Sequence, residues 1–278
     1  MIISVASGKG GTGKTTVAVG LALSADNVQL IDCDVEEPNA HIFFSPQTYE
    51  EKPVHSLVPV ISEKKCDYCG KCAKFCQYNA LFVAPGTVIV FPELCHSCGL
   101  CSLVCPKDAV TEKKRQIGVI KKTSATGVAL VHGELNVGEP MAVPVIREAK
   151  REINKEKTVI IDVSPGTACP LVAAVYGSDF TLLVTEPTPF GLHDLKIAIE
   201  VLRTLKIPLG VIVNRAGIGD NKVYEYCENE NIPVMLEIPY SRHIAELYSR
   251  GVPFVTEMQG WKERFRQLLN EIQRRVQT

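Results

Sequence analysis

The chain has 278 residues, 46% of them hydrophobic and 22% charged, with 30 Lys and Arg against 31 Asp and Glu for a net charge of -1. These values exclude a disordered chain, leave no basic field to hold nucleic acid and include no apolar run of the ~18 residues a helical bilayer span needs. The apolar start, residues 1–6, is too short and too lightly charged for a signal peptide, so the expected location is the cytoplasm, with neither nucleic acid nor membrane as a partner.

Ile2–Ala6 reads as a buried strand, followed by a glycine-rich turn and a helix over Lys14–Ser24. Residues 28–31 form a second strand. Further strands at 128–131, 158–161, 181–184, 209–213 and 234–238 alternate with helices at 140–152, 169–178, 192–205, 223–230, 243–249 and 261–276. Val/Ile/Leu-rich strands alternating with helices predict an α/β fold, a doubly wound and mostly parallel sheet covered on both faces. The last helix carries Trp261, Phe265, Leu268, Leu269 and Ile272 on one stripe, which predicts packing against the sheet over membrane targeting.

The segment 62–118 breaks this rhythm. Eight of the 11 cysteines lie between Cys66 and Cys105. A reducing compartment makes such a cluster metal-binding, not disulfide-bonded. We expect a small domain at 62–118 inserted into a domain made of 1–61 and 119–278. The insert repeats itself at an offset of 29 residues, so that Cys66, Cys69, Cys72 and Cys76 align with Cys95, Cys98, Cys101 and Cys105. The spacing C-x2-C-x2-C-x3-C, twice over, is the bacterial ferredoxin run, in which the fourth cysteine of each run ligates the other cluster. Cys66, Cys69, Cys72 and Cys105 are therefore expected to hold one [4Fe–4S] cluster, and Cys95, Cys98, Cys101 and Cys76 the second. Zinc is the alternative, but zinc sites pair two cysteines and then leave a long spacer. Gln77 stands where the first run would carry proline.

Gly8-Lys9-Gly10-Gly11-Thr12-Gly13-Lys14-Thr15 fits the P-loop pattern between a strand and a helix. Its glycines let backbone N–H groups converge on phosphate oxygens at a helix N-terminus. Lys14 is expected at the β- and γ-phosphates and the Thr15 hydroxyl on Mg²⁺, with Thr16 closing the loop. Asp32, Asp34 and Asp162 each lie at or just past the end of an apolar strand run, at the crevice edge where open α/β sheets bind ligands. Asp34 is the candidate to orient the attacking water; Asp32 and Asp162 are candidates to hold waters on Mg²⁺.

The extra lysine of this loop, Lys9, resembles the deviant Walker A lysine of the MinD/ParA/nitrogenase-iron-protein ATPases. Asp32-Cys33-Asp34 with Pro38-Asn39 resembles switch I of that family, and Asp162-Val163-Ser164-Pro165-Gly166 resembles switch II. Asn214-Arg215 and Pro239-Tyr240 resemble its adenine-binding positions. The resemblance implies ATP hydrolysis by an ATP-dependent homodimer in which Lys9 crosses to the partner's phosphates. With the cysteine insert, the chain resembles the subgroup of this family that carries a two-cluster ferredoxin domain. That implies electron transfer to a protein redox or cofactor-assembly partner. A positioning or scaffolding ATPase, with clusters as redox sensors or staples, is the alternative. Cys169 matches the place of a cluster-ligating cysteine in the nitrogenase iron protein, though a buried structural thiol is the reading its surroundings favour. Cys33 and Cys227 read as structural. The six histidines show no ligand spacing.

Overall fold

The computed structural model describes residues 1–277. The chain runs β1 (Ile2–Ala6), α1 (Lys14–Ser24), β2 (Val28–Cys33), β3 (Glu50–Ile61), α2 (Lys71–Phe75), β4 (Leu81–Ala84), β5 (Thr87–Val90), α3 (Leu100–Leu103), β6 (Val110–Ala125) and β7 (Val128–Leu135). It continues with α4 (Val143–Arg151), β8 (Thr158–Val163), α5 (Cys169–Val175), β9 (Phe180–Thr185), α6 (Pro189–Thr204), β10 (Leu209–Ala216), α7 (Lys222–Asn229), β11 (Val234–Pro239), α8 (Arg242–Ser249), α9 (Phe254–Glu257) and α10 (Trp261–Gln277).

Nine strands form one sheet in the order β11-β10-β9-β1-β8-β2-β7-β6-β3. The seven from β11 to β7 are mutually parallel; β6 and β3 complete the sheet antiparallel. The central strands β1, β2, β8 and β9 are buried almost throughout, because helices cover both faces. One face packs on α4, α5, α6 and α7 through Val145, Ile146, Leu171, Leu195, Ile199 and Val223. The other packs on α1, α8, α9 and α10 through Val17, Leu21, Leu247, Phe254, Phe265 and Ile272. The stripe on α10 thus meets the core, as its apolar period predicts. Gly20 of α1 lies under the Phe265 ring, where any Cβ would collide.

The long antiparallel pair β3–β6 was not predicted. Its alternation of Lys, Glu and Val with Pro53 and Pro59 in β3 hides a strand from period reading, and edge position is what tolerates those prolines. Gly118 pairs with Leu135, the last residue of β7, so Val110 to Ile117 runs past the carboxyl edge of the parallel strands, still paired with β3. At roughly 3.3 Å per residue this ribbon reaches about 25 Å beyond the sheet. The cysteine segment sits on its tip. β6 is continuous through residue 118, so chain passes from cysteine segment to sheet without a loop.

The internal repeat holds in the backbone. Tyr68 and Ser97, Gly70 and Gly99, and Asn79 and Asp108 are pairs 29 residues apart, and all six have positive φ. Each repeat also carries one short helix, α2 or α3, and the hairpin β4–β5 lies between them.

Candidate functional site

The P-loop lies at the carboxyl end of β1, between β9 and β8. Gly11 and Gly13 take the left-handed conformation, with φ of 78° and 92°. Gly8 packs on the backbone of Asp194 and Gly13 on the amide of Asn214, both too close for a Cβ. Lys14 and Thr15 are buried at the start of α1, while Gly10 and Gly11 are exposed. Gly13 precedes α1 without a side-chain cap, which leaves the first-turn N–H groups to an anion. Thr16 begins a groove bordered by Phe43 and Tyr248.

Three carboxylates converge on Lys14. Asp32, one residue before the end of β2, is fully buried and accepts backbone N–H bonds from Asp34 (2.9 Å), Asn39 (3.0 Å) and Ala40 (3.0 Å). These bonds fold the segment after β2 back over the site. Burial nonetheless raises the Asp32 pKa, against those N–H bonds and Lys14. Burial and the charge of Asp32 push Asp34 up to about 7. Asp162, one residue before the end of β8, is fully buried, and both its carboxylate oxygens lack a hydrogen-bond partner. Burial first, then Asp32, raises its pKa well above the usual range, while Lys14 and Thr15 oppose the shift. The orphaned oxygens of Asp162 beside Thr15 fit a hydrated divalent cation, whose charge reverses that pKa logic.

Lys9 folds back on its own chain. Its Nζ lies 3.4 Å from Oε2 of Glu186, and Arg215 Nη1 lies 2.7 Å from Oε1 of the same carboxylate. Glu186, just past β9, was not singled out from the sequence; its place after an apolar strand run at the carboxyl edge is the signal. Arg215 also donates to the Gly11 carbonyl at 3.3 Å, and Asn214 Nδ2 to the Thr12 carbonyl at 2.8 Å. Asn214 and Arg215 therefore brace the P-loop from β10. Pro239 and Tyr240 lie at the end of β11, with Tyr240 exposed and its N–H bonded to Ala216.

The eight cysteines border two cavities. Cys66, Cys69, Cys72 and Cys105 line one. Cys76, Cys95, Cys98 and Cys101 line the other. Cys105 thus lies with the first run and Cys76 with the second. Backbone N–H groups of Tyr68, Ala80 and Ala109 donate to the sulfurs of Cys66, Cys76 and Cys105 at 3.4, 3.3 and 3.3 Å. Such bonds stabilise thiolate, and they recur at equivalent places in both repeats, so the residues fit the cluster pair. Burial by itself disfavours thiolate here: it raises the Cys72 and Cys95 pKa values and pushes Cys101 up to about 11. Among the described residues no three His, Cys, Asp or Glu side chains are arranged around a single metal ion. The Cys76 set touches Pro59 and Glu112, and the Cys105 set touches Ile61 and Val110, so the first lies nearer the sheet.

Cys169 is exposed at the start of α5, which corrects the reading of a buried structural thiol. Its N-terminal helix position keeps it on the carboxyl edge. Cys33 and Cys227 are buried, in keeping with structural roles. His132 is buried on β7 and stacks on His41, with ring centroids 4.9 Å apart.

The family model of the CobQ/CobB/MinD/ParA nucleotide binding domain matches residues 3–254. The chain belongs to that family. Among relatives, the uncharacterized protein MJ0579 of Methanocaldococcus jannaschii is 34% identical over 267 residues, spanning 92% of this chain and 91% of that protein. The iron-sulfur cluster carrier protein of Aquifex aeolicus is 24% identical over 273 residues, 91% of this chain and 61% of that protein. Among solved structures, the septum site-determining protein MinD of Pyrococcus horikoshii, complexed with Mg-ADP, superposes with a TM-score of 0.60 at 18% identity, covering 98% of this chain and 95% of that one. The cell division ATPase MinD of Pyrococcus furiosus gives 0.58 at 20% identity, with 98% of each chain covered. The α/β P-loop architecture is thus the MinD fold, and the chain is a nucleotide-binding protein of the MinD/ParA kind. Among the described residues no helix is long and apolar enough to cross a membrane.

Proposed function

We propose that this is an ATP-binding and ATP-hydrolysing iron–sulfur protein, in which a nucleotide-dependent homodimer switch governs electron transfer through two [4Fe–4S] clusters. The observation that carries the reading is the pair of four-thiol cavities on a ribbon that rises from the nucleotide-binding edge of the sheet. Residues 62–118 act as the cluster-bearing insert, and 1–61 with 119–278 as the ATPase body. The setting is cytoplasmic.

Each residue has a role its position supports. Backbone N–H groups of Gly8 through Thr16 cradle the phosphates, and Lys14 holds their charge. Asn214, Arg215, Pro239 and Tyr240 border the base. Thr15 would ligate Mg²⁺, and Asp32 and Asp162 would hold its waters; the ion would supply positive charge against the phosphates. Asp34 orients the attacking water, and a pKa raised to about 7 lets it also accept the proton. Lys9 leaves Glu186 to reach the phosphates of a second copy. The two cysteine sets would hold the clusters, which would supply one-electron couples. Eight dedicated thiols favour keeping the clusters over handing them on. Relatives named as cluster carriers support service to metallocofactor or iron–sulfur assembly as the output.

The test is an EPR redox titration of anaerobically purified protein with and without MgATP, alongside iron and sulfide counts. About eight irons per chain and a potential that moves with MgATP is the expected result. About eight irons with nucleotide-insensitive spectra would overturn electron gating and leave the clusters as sensors or staples of a positioning ATPase.

A further inference from the structure

The ribbon leaves the sheet at a β-bulge. Between the pairs Val54–Gly118 and His55–Gln116, Ile117 is the extra residue on β6. A bulge re-aims its strand, and here the carbonyls on either side of it do not point idle. Asn136 donates its backbone N–H to the Ile117 carbonyl at 2.9 Å and its side-chain amide to the Gln116 carbonyl at 3.1 Å. Asn136 follows β7 directly, and its neighbour Leu135 donates N–H to the Val35 carbonyl at 2.8 Å. Val35 lies next to Asp34, in the segment that folds over the phosphate site.

The turn that starts at Asn136 closes with an N–H bond from Glu139 to the Asn136 carbonyl, at 3.1 Å. Glu139 then grips Arg115, two residues before the bulge, through both carboxylate oxygens; the Nη2–Oε2 bond is 2.8 Å. The pair is well shielded, with Glu139 only 10% exposed and Arg115 23%. The same Arg115 Nη2 reaches the Pro92 carbonyl at 3.4 Å. That carbonyl also accepts the N–H of Cys95, at 3.2 Å. A continuous run of bonds therefore joins Asp34–Val35 to the backbone N–H of Cys95, through one turn and one ion pair. The Cys66 set lies farther out along the ribbon, past the point where Arg115 acts.

We infer that Arg115 and Glu139 are positioning residues that couple the segment after β2 to the Cys95 cluster, so that nucleotide state is felt first at that cluster. The inference rests on the proposed ATP-gated function and deepens it. The element this coupling requires to move is the 135–139 turn, bonded to Val35 on one side and to Arg115 on the other. The geometry explains why Arg is needed: a planar fork holds a carboxylate with two N–H groups and still offers an N–H to Pro92, which lysine cannot do in a fixed geometry.

The test is hydrogen–deuterium exchange on the anaerobically purified, cluster-loaded full chain with and without MgATP, read at residues 92–98, together with separate EPR potentials for the two clusters. In the wild type, nucleotide should change exchange at 92–98 by at least ~5-fold, in line with typical coupling energies, and shift one cluster's potential more than the other's. Arg115→Met and Glu139→Gln should reduce that ratio to about 1 while iron content and nucleotide affinity stay within ~2-fold of wild type. Arg115→Lys keeps an ion pair with Glu139 but lacks the fork, so it should restore melting temperature and leave the nucleotide response lost. A response at 92–98 that survives in Arg115→Met and Glu139→Gln overturns the inference and spares the proposed function. Full recovery of the response in Arg115→Lys also overturns it. A wild type whose clusters and 92–98 segment both ignore nucleotide overturns both.

Discussion

At the scale of single residues, the site is built from groups that the fold would rather not hold. Asp32, Asp34 and Asp162 all have pKa values above the usual 3.8, mainly through burial. The sign follows: a carboxyl raised in the folded state favours folding when protonated, so the protein without nucleotide loses stability as pH rises from about 4, and Asp34 stops adding to that loss above its value of about 7. Asp162→Asn should therefore raise the stability of the nucleotide-free protein at pH 7 by roughly 1–3 kcal/mol while abolishing hydrolysis. Thermal melts at pH 5 and pH 7 check this, because the gain should shrink at the lower pH. Lys14 faces all three aspartates and the phosphate cradle. Lys14→Ala should weaken ATP binding about 100-fold or more, as expected for losing charge-assisted bonds to phosphate. Lys9 instead sits on Glu186, away from Lys14. Lys9→Ala should leave the ATP dissociation constant within ~3-fold and remove dimer-dependent turnover; calorimetry and a phosphate-release assay separate the two variants, and unchanged turnover would sink the crossing-lysine role.

At the scale of elements, one contact shows how neighbouring helices are held together away from the nucleotide edge. Lys150 of α4 donates to the carbonyls of Ala173 (3.0 Å), Ala174 (2.6 Å) and Tyr176 (2.6 Å), the open end of α5. A cation there also meets the negative end of the helix. The segment between β8 and α5 contains the switch II resemblance, so this cap fixes the far end of a switch element. Lys150→Met should cost about 2–4 kcal/mol, the scale of stranding buried carbonyls, and urea unfolding measures it. The helices and the parallel strands were legible in the sequence because each buries one stripe or both faces, and periodicity reports burial. Boundaries agreed to within a few residues; the helix expected from 140 begins at Val143, since Pro140 and Pro144 confine where regular turns start. The β3–β6 ribbon was not legible. Its outer half pairs with itself beyond the sheet and is wet on much of its surface, so no apolar period marks it.

At the scale of the whole molecule, the cysteine segment and the sheet have separate cores. Two large apolar cores flank the sheet, while Val58 and Ala80 pack with Cys95, and Leu81 and Val110 with Cys101. The small cores include the thiols themselves, so clusters bound to them would help to hold this segment folded. Removing iron with a chelator should loosen residues 62–109 while ATP affinity changes by less than ~3-fold. Limited proteolysis and nucleotide titration on the same sample test this, and loss of ATP binding on chelation would show that the two parts share one cooperative unit.

The sequence by itself determined the P-loop, the repeated cysteine spacing and the α/β rhythm, because each depends on local spacing: a strand–glycine–helix turn, thiols at fixed intervals, apolar residues at a fixed period. Only the tertiary structure decided that Lys9 and Arg215 share Glu186, that Cys169 is exposed, and that Arg115 meets Glu139 and Pro92 across a bulge. Those partners are brought together by strand order and by the direction of a ribbon, and neither leaves a pattern along the chain, because side chains on different strands meet according to register and not according to sequence distance.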